Sequence, residues 1–223
     1  MEGSLYKTEL HCHTLDASPC SSLSAEQLVE LYTKSNYDSV VIANHFSRRY
    51  MKQYGISTYK EYVEFYIGAY EKVKSIAKDR LNIIFGAELR FDEIDNDYLW
   101  IGADINFLRE SEDILAMGTT KFREICAQKG WLFIQAHPFR NTMKIVNPKT
   151  VDGIEVFNGR HEEFRNVIAE KWAEEYSLIK TSGTDIHSAD SPPNGGILTD
   201  VKMKDMQDVL NVIKSGKYSL LRG

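Results

Sequence analysis

Residues 131–138 read Trp131-Leu132-Phe133-Ile134-Gln135-Ala136-His137-Pro138. Four apolar residues in succession, with no polar alternation, mark a strand buried on both faces, the habit of parallel sheets covered by helices. The same texture recurs in Val40-Val41-Ile42-Ala43. Working outward, strand-like runs fall at Tyr6–His13, Ser39–His45, Asn82–Phe91, Tyr98–Asp104, Trp131–Pro138, Gly153–Gly159 and Leu178–His187. Helical patterns lie between them. Ser24-Ala25-Glu26-Gln27 reads as a capping box that opens a helix to about Asn36. A longer helix covers Thr58–Lys78, with Tyr62, Phe65, Tyr66, Ala69, Val73 and Ile76 at three- and four-residue steps. Others cover Asp113–Gln128, Glu163–Tyr176 and Lys204–Lys214. Strand alternating with helix predicts an α/β fold with a parallel sheet, and seven strands favour a closed barrel slightly smaller than the common eight-stranded one.

The size of the chain, 223 residues, suits one domain over 1–223 with a sizeable core. A net charge of -5 argues against a broad basic face that would hold nucleic acid in a stable complex. No window reaches 18 uncharged apolar residues, so no membrane span is expected. Met1 to Tyr6 leads straight into a strand-like run without an apolar leader. Cys12, Cys20 and Cys126 form neither a paired zinc pattern nor a disulfide framework. A cytoplasmic location is the expectation.

The polar residues of the strand candidates gather at their ends. The first finishes in His11-Cys12-His13, the second in Asn44-His45, the fifth in His137-Pro138 and the seventh in Asp185-Ile186-His187, while the third carries Glu88. Five of the six histidines therefore sit where a strand stops, and in β/α barrels such ends converge on the rim where active sites are built. His-x-His and Asp-x-His each place two donors on one side of a strand, because side chains alternate with period two. Cys12 then points the opposite way, which suits a buried structural role. A lone strand-end histidine is ordinarily a polar residue near a loop; the joint placement is what indicates a metal site. Imidazole with carboxylate suits zinc, iron or manganese.

The segments Glu9-Leu10-His11-Cys12-His13-Thr14, Ile42-Ala43-Asn44-His45, Gly86-Ala87-Glu88, Gln135-Ala136-His137-Pro138 and Ser182-Gly183-Thr184-Asp185-Ile186-His187 resemble, in order, the motifs of the polymerase and histidinol phosphatase (PHP) superfamily. The resemblance implies a distorted seven-stranded (β/α)7, TIM-like barrel, two or three divalent ions, and phosphoester hydrolysis. It implies that His11, His13, Glu88 and Asp185 hold one ion, that Glu88 and His137 share a second, and that His45 and His187 hold a third. Many members complete the third site shortly after the His-x-His. Here that stretch is Leu15-Asp16-Ala17-Ser18-Pro19-Cys20, with Asp16 the first candidate and Cys20 the second. After the fourth strand Asp104 is either a further ligand or, preferentially, a cap of the next element.

Phosphate ester hydrolysis needs a nucleophile, neutralisation of charge and help for the leaving group, and bound cations can serve all three needs. Arg140, three residues after His137, and Arg160, after the sixth strand, are the candidates to contact substrate phosphate, since the guanidinium is a planar, permanently charged fork. His161 follows Arg160 with no role assigned, and Arg48, Arg49 and Lys52, expected in a longer loop after His45, have a weaker claim. The substrate class is a phosphorylated small molecule such as histidinol phosphate or a nucleotide, or a short oligonucleotide. Protein phosphotyrosine is an alternative, as is a non-catalytic metal-stabilised module.

Overall fold

The computed structural model describes residues 5–190 and 192–223. In chain order the elements are β1 (Tyr6–Cys12), α1 (Ala25–Lys34), β2 (Ser39–Ile42), β3 (His45–Ser47), α2 (Arg48–Gln53), α3 (Tyr59–Ala77), β4 (Asn82–Phe85), β5 (Glu88–Arg90), β6 (Tyr98–Ile101), α4 (Ile105–Glu110), α5 (Gly118–Lys129), β7 (Leu132–Gln135), β8 (Gly153–Asn158), α6 (Glu163–Glu175), β9 (Ile179–Gly183), β10 (Gly195–Thr199), α7 (Met206–Ser215) and β11 (Ser219–Arg222). The expected capping box is present, with Ser24 and Gln27 opening α1, and a second, Thr58 with Glu61, opens α3. The segment after His45, expected as a loop, is the short helix α2, which the Ser47 side chain caps by accepting from the Tyr50 N–H. No helix among the described residues is long and apolar enough to cross a membrane.

The strands form two mixed sheets, one ordered β11-β10-β1-β2-β4 and the other β3-β5-β6-β7-β8-β9. The expectation of one ring of parallel strands needs correction on two counts. First, β6 runs antiparallel to both β5 and β7. Only residues 91–97 join β5 to β6, and a parallel return needs a crossover of a dozen residues or more. Second, the ladders form no single closed ring among the described residues, because the second and third strand candidates each break in two. Ile42 ends β2 and His45 starts β3; Phe85 ends β4 and Glu88 starts β5. The backbone bonds Gly86 N–H to Ile42 O and Glu88 N–H to Asn44 O, each 3.1 Å, carry the pairing over that break. Gly86 is required there, since a Cβ would lie 2.3 Å from Val41 Cγ1. On the far margin Cys12 bridges Ile186 in parallel and the Asp185 N–H donates to His11 O at 2.8 Å.

Alternate residues of these strands enter two apolar layers. Val40, Ile42, Ile83, Phe85, Tyr98, Trp100 and Phe133 pack in the larger layer with residues of α1, α3 and α5. Leu10, Val41, Ile84, Leu99, Leu132 and Ile134 face the other way, into a smaller layer closed by Met206, Val209, Leu210 and Ile213 of α7. The segment leading into α7 lies against the beginnings of β2 and β4: Ser39 Oγ and Asn82 Nδ2 both donate to Met203 O. That apolar plug therefore fills one end of the inner face, and the strand ends that carry the histidines lie at the other.

Candidate metal centre

The first strand sets the geometry. Its pairing with β2 shifts register between Glu9 and Cys12, so Leu10 joins the plug, Cys12 joins the helix-side layer, and His11 and His13 reach the opposite end. The buried Glu9 carboxylate accepts from the backbone N–H of Leu10, His11 and Thr184 at 2.9–3.0 Å and from the Tyr32 hydroxyl at 2.9 Å. Burial lifts its pKa to about 7 against the pull of these bonds. Glu9 thereby fastens the end of β1 to the end of β9. Gly183 permits the close approach, because a Cβ there would lie 2.4 Å from His11 Cβ. His137 and Asp185 adopt left-handed backbone angles, φ 28° and 53°. Each such conformation costs on the order of 1–3 kcal/mol outside glycine and persists only where the surroundings impose it. Here the His137 N–H is held by Glu155 Oε2 at 3.0 Å and the Asp185 N–H by His11 O.

The donors converge. His11 Nε2 lies 3.4 Å from Glu88 Oε1 and 3.6 Å from Asp185 Oδ1. His13 Nε2 lies 3.4 Å from Glu88 Oε2 and 3.1 Å from Asp185 Oδ1. His45 Nδ1 is 2.7 Å, and His137 Nε2 2.8 Å, from the two oxygens of Glu88. Four sets of donor atoms lie within 4.8 Å of one another: His11/His13/Glu88, His11/His137/Asp185, His13/His45/His187 and His45/Glu88/Asp97. On the rim, Arg49, Arg90, Arg140 and Arg160 line a cavity of about 410 Å³ together with Tyr50, His45, His187 and Cys20. Arg90 is engaged in a two-pronged pair with Asp97, both contacts 2.6 Å. Among the described residues no carboxylate pairs with Arg49, Arg140 or Arg160.

The electrostatics follow from dense packing of opposite charges. Burial disfavours the imidazolium of His11, but Glu155, Glu88 and Asp185 outweigh it and hold the pKa well above the ordinary histidine value. Burial likewise opposes charge on His45, and Glu88 lifts it to about 10. His13, two residues from His11, goes the other way: burial and the neighbouring His45 push it well below. Burial raises the pKa of Glu88 and Asp185, yet the imidazoles around each, His45 and His11 foremost, draw both well below the carboxylate range. His161, whose ring centre is 5.7 Å from that of His137, is lowered to about 4 by burial and by that neighbour.

The donor set fits divalent cations. His11 Nε2, His13 Nε2 and His137 Nδ1 are buried and make no hydrogen bond, a condition that costs about 1–3 kcal/mol per group when nothing compensates it. His11 Nδ1 meets Glu155 Oε1 at 2.8 Å; donation there leaves the Nε2 lone pair facing Glu88 and Asp185, the usual partnership of a ligating imidazole with an outer carboxylate.

Seven of the eight sequence candidates, His11, His13, His45, Glu88, His137, Asp185 and His187, are brought together by the fold. Asp16 stands apart, held at 2.7 Å by Lys72 of α3, while Cys20 lies 3.1 Å from His187 Nε2. Asp104 caps α4 by accepting from the Phe107 N–H at 2.8 Å. Arg140 and Arg160 both reach the cavity above His45 and His187. Two buried carboxylates escaped the sequence reading. Asp97 precedes β6, and because that strand is reversed, its beginning rather than its end faces the donors. Glu155 sits inside the apolar run Gly153-Ile154-Glu155-Val156-Phe157; a charge in a run that reads as buried needs a partner.

Solved structures share this fold. A two-domain protein from Bacteroides vulgatus containing a predicted PHP-like metal-dependent phosphoesterase matches at a TM-score of 0.69 and 14% identity, covering 99% of this chain and 65% of that one. The chain thus spans about two thirds of that protein's length. PsfC from Pseudomonas syringae matches at a TM-score of 0.71 and 15% identity, over 99% of this chain and 92% of that one. An amidohydrolase from Chromobacterium violaceum, solved with bound sulfate and no metal, matches at 0.58 and 11%, over 97% and 98%. At these identities the likeness is one of fold. No curated protein matches the sequence. The family model of the PHP domain matches residues 9–215, almost the whole chain and all the strand-end motifs, and the chain belongs to the PHP domain family.

Proposed function

We propose that this chain hydrolyses phosphate esters with two or three divalent ions, zinc, iron or manganese, held in the buried cluster. The observation that carries the reading is the stacking of two layers: unpartnered imidazole nitrogens among carboxylates below, and an arginine-lined cavity directly above. His11, His13, Glu88 and Asp185 are assigned to one ion, Glu88 and His137 with Asp97 to a second, and His45 and His187 to a third. The two sheets, laced at their margins, serve as the wall of a distorted barrel around them. When bound, divalent cations supply Lewis acidity and acidify water to a pKa of about 7.

The chain's own residues orient the substrate. Arg140 and Arg160 grip phosphoryl oxygens or a neighbouring anionic group, with Arg49 as a third unpaired cation on the same rim. Arg90 is already committed to Asp97 and holds that carboxylate toward Glu88 and His45. Glu155 fixes His11 through Nδ1 and His137 through its backbone, so one carboxylate positions two ligands. The cavity suits a small phosphomonoester, a nucleotide, or the end of a short oligonucleotide; neither a stable nucleic-acid complex nor membrane attachment is part of the reading.

The test is a panel of phosphorylated compounds assayed with protein reloaded separately with manganese, zinc and iron. Wild type is expected to turn over at least one class at neutral pH, and Asp185→Asn, purified identically, to lose about 100-fold or more because a direct ligand is gone. Equal residual activity in the two proteins on every compound would overturn the proposal, since contaminating phosphatases would then account for it.

A further inference from the structure

Cys20 belongs to the turn Ala17-Ser18-Pro19-Cys20, and the turn is built rather than loose. The Ser18 N–H donates to Thr14 O at 2.9 Å and the Ser21 N–H to Ser18 O at 2.8 Å. The turn is tied across to the other end of the chain: the Ser22 N–H donates to His187 O at 2.8 Å and Ser21 Oγ to the same oxygen at 3.2 Å. The effect is to set Cys20 Sγ 3.1 Å from His187 Nε2 and in the lining of the same cavity as His45. His187 Nδ1 is 2.8 Å from Asp185 O, an acceptor, so that nitrogen carries the proton and Nε2 presents its lone pair to the sulfur. His45 Nδ1 is similarly occupied by Glu88. A second observation points to a ligand at this place. His13, His45 and His187 each bring one donor atom within 4.8 Å of the others', a spacing that suits a single ion.

We infer that Cys20 Sγ joins His45 and His187 as a thiolate ligand, making this position one for zinc or another thiophilic divalent ion. The inference rests on the reading of the cluster as a metal centre and goes beyond it in assigning different chemistry to its parts. Thiolate and imidazole select zinc or cobalt, whereas carboxylate-rich positions also accept harder ions such as manganese. Asp16, the carboxylate that competes for this role in the sequence, is bound to Lys72 instead. Ligation replaces the S–H bond by a sulfur–metal bond and releases one proton to solvent. Because the other two cysteines are buried and Cys20 is exposed, its alkylation can be followed separately.

Metal-free protein is titrated with cobalt(II) and its near-ultraviolet absorption recorded. A thiolate-to-cobalt charge-transfer band is expected in wild type and in Cys126→Ser, and is expected to vanish in Cys20→Ser. In parallel, alkylation of Cys20 by iodoacetamide, read by peptide mass, is expected to slow at least tenfold with zinc and to stay unchanged with manganese. A band that survives in Cys20→Ser, or alkylation that zinc does not slow in protein shown by elemental analysis to hold zinc, overturns the thiolate assignment and leaves the metal centre standing. Protein that takes up no metal under any loading overturns both.

Discussion

The same strands carry opposite chemistry at their two inner ends. At one end Val41, Ile84, Leu99 and Ile134 meet Met206, Val209, Leu210 and Ile213 in a dry apolar plug. At the other, a few residues along the same chain segments, His11, His45, Glu88 and His137 crowd together. The plug obeys every packing preference, and the metal-centre end violates several: buried charge, imidazoles without hydrogen bonds, and left-handed backbone at His137 and Asp185. The difference teaches a division of labour, in which apolar burial at one end offsets the strain stored at the other. If that is right, the two ends respond to substitution independently.

The largest effect is expected at the plug. Ile134→Ala removes a fully buried side chain and is expected to lower stability by about 2–5 kcal/mol, read by urea unfolding, with metal content per folded chain unchanged. Coupled loss of metal would mean that the ends are not separable. His137→Ala works from the other side: turnover is expected to fall by about 100-fold or more with loss of a ligand, while metal-free protein unfolds at a urea concentration close to wild type. Glu155→Gln keeps the shape but weakens the acceptor for His11 Nδ1. Metal affinity, measured by competition with a chromogenic chelator, is expected to drop by about 10–100-fold.

Smaller effects sharpen the boundary of the centre. Arg140→Ala is expected to raise KM by about tenfold with kcat nearly constant, the signature of ground-state phosphate binding; a fall in kcat alone would move Arg140 to the transition state. Asp16→Asn breaks the pair with Lys72, whose side chain is 48% exposed. Stability is expected to change by less than about 1 kcal/mol, and elemental analysis to find the same number of ions as in wild type.

The contrast also explains what the sequence disclosed. Seven donors were legible because parallel strands deliver their ends to one place and because period-two spacing in His11-x-His13 and Asp185-x-His187 fixes a common side. Asp97 obeys a different rule, since β6 is reversed by a connection too short for a crossover, and an assumption of parallel strands looks for the donor at Asp104 instead. The interruptions at Asn44 and Ala87 were missed because Ser39–His45 and Asn82–Phe91 each read as one continuous strand; the close approach of Gly86 to Val41 reveals the bend. Strands β10 and β11 were missed for want of apolar alternation around Gly195-Gly196. The choice between Asp16 and Cys20 depends on Lys72, 56 residues away from Asp16 in the chain, and no local pattern encodes it.

The reversed strand has a consequence for how such a molecule can change over generations. Its helical excursion, α4 and α5, leaves the end of β6 and returns to the start of β7, so no helix joins β5 to β6 and residues 91–97 make that connection directly. Asp92, Glu93, Ile94 and Asp95 of that link border open cavities. Growth at Asp95 and Asn96 would leave in place the contacts that Asp92 makes with Arg48 and Glu93 with Thr119, and surface connections tolerate such growth. This short link is therefore where a descendant of this chain can acquire a cover over its cavity, and with it a narrower diet, at little cost to folding.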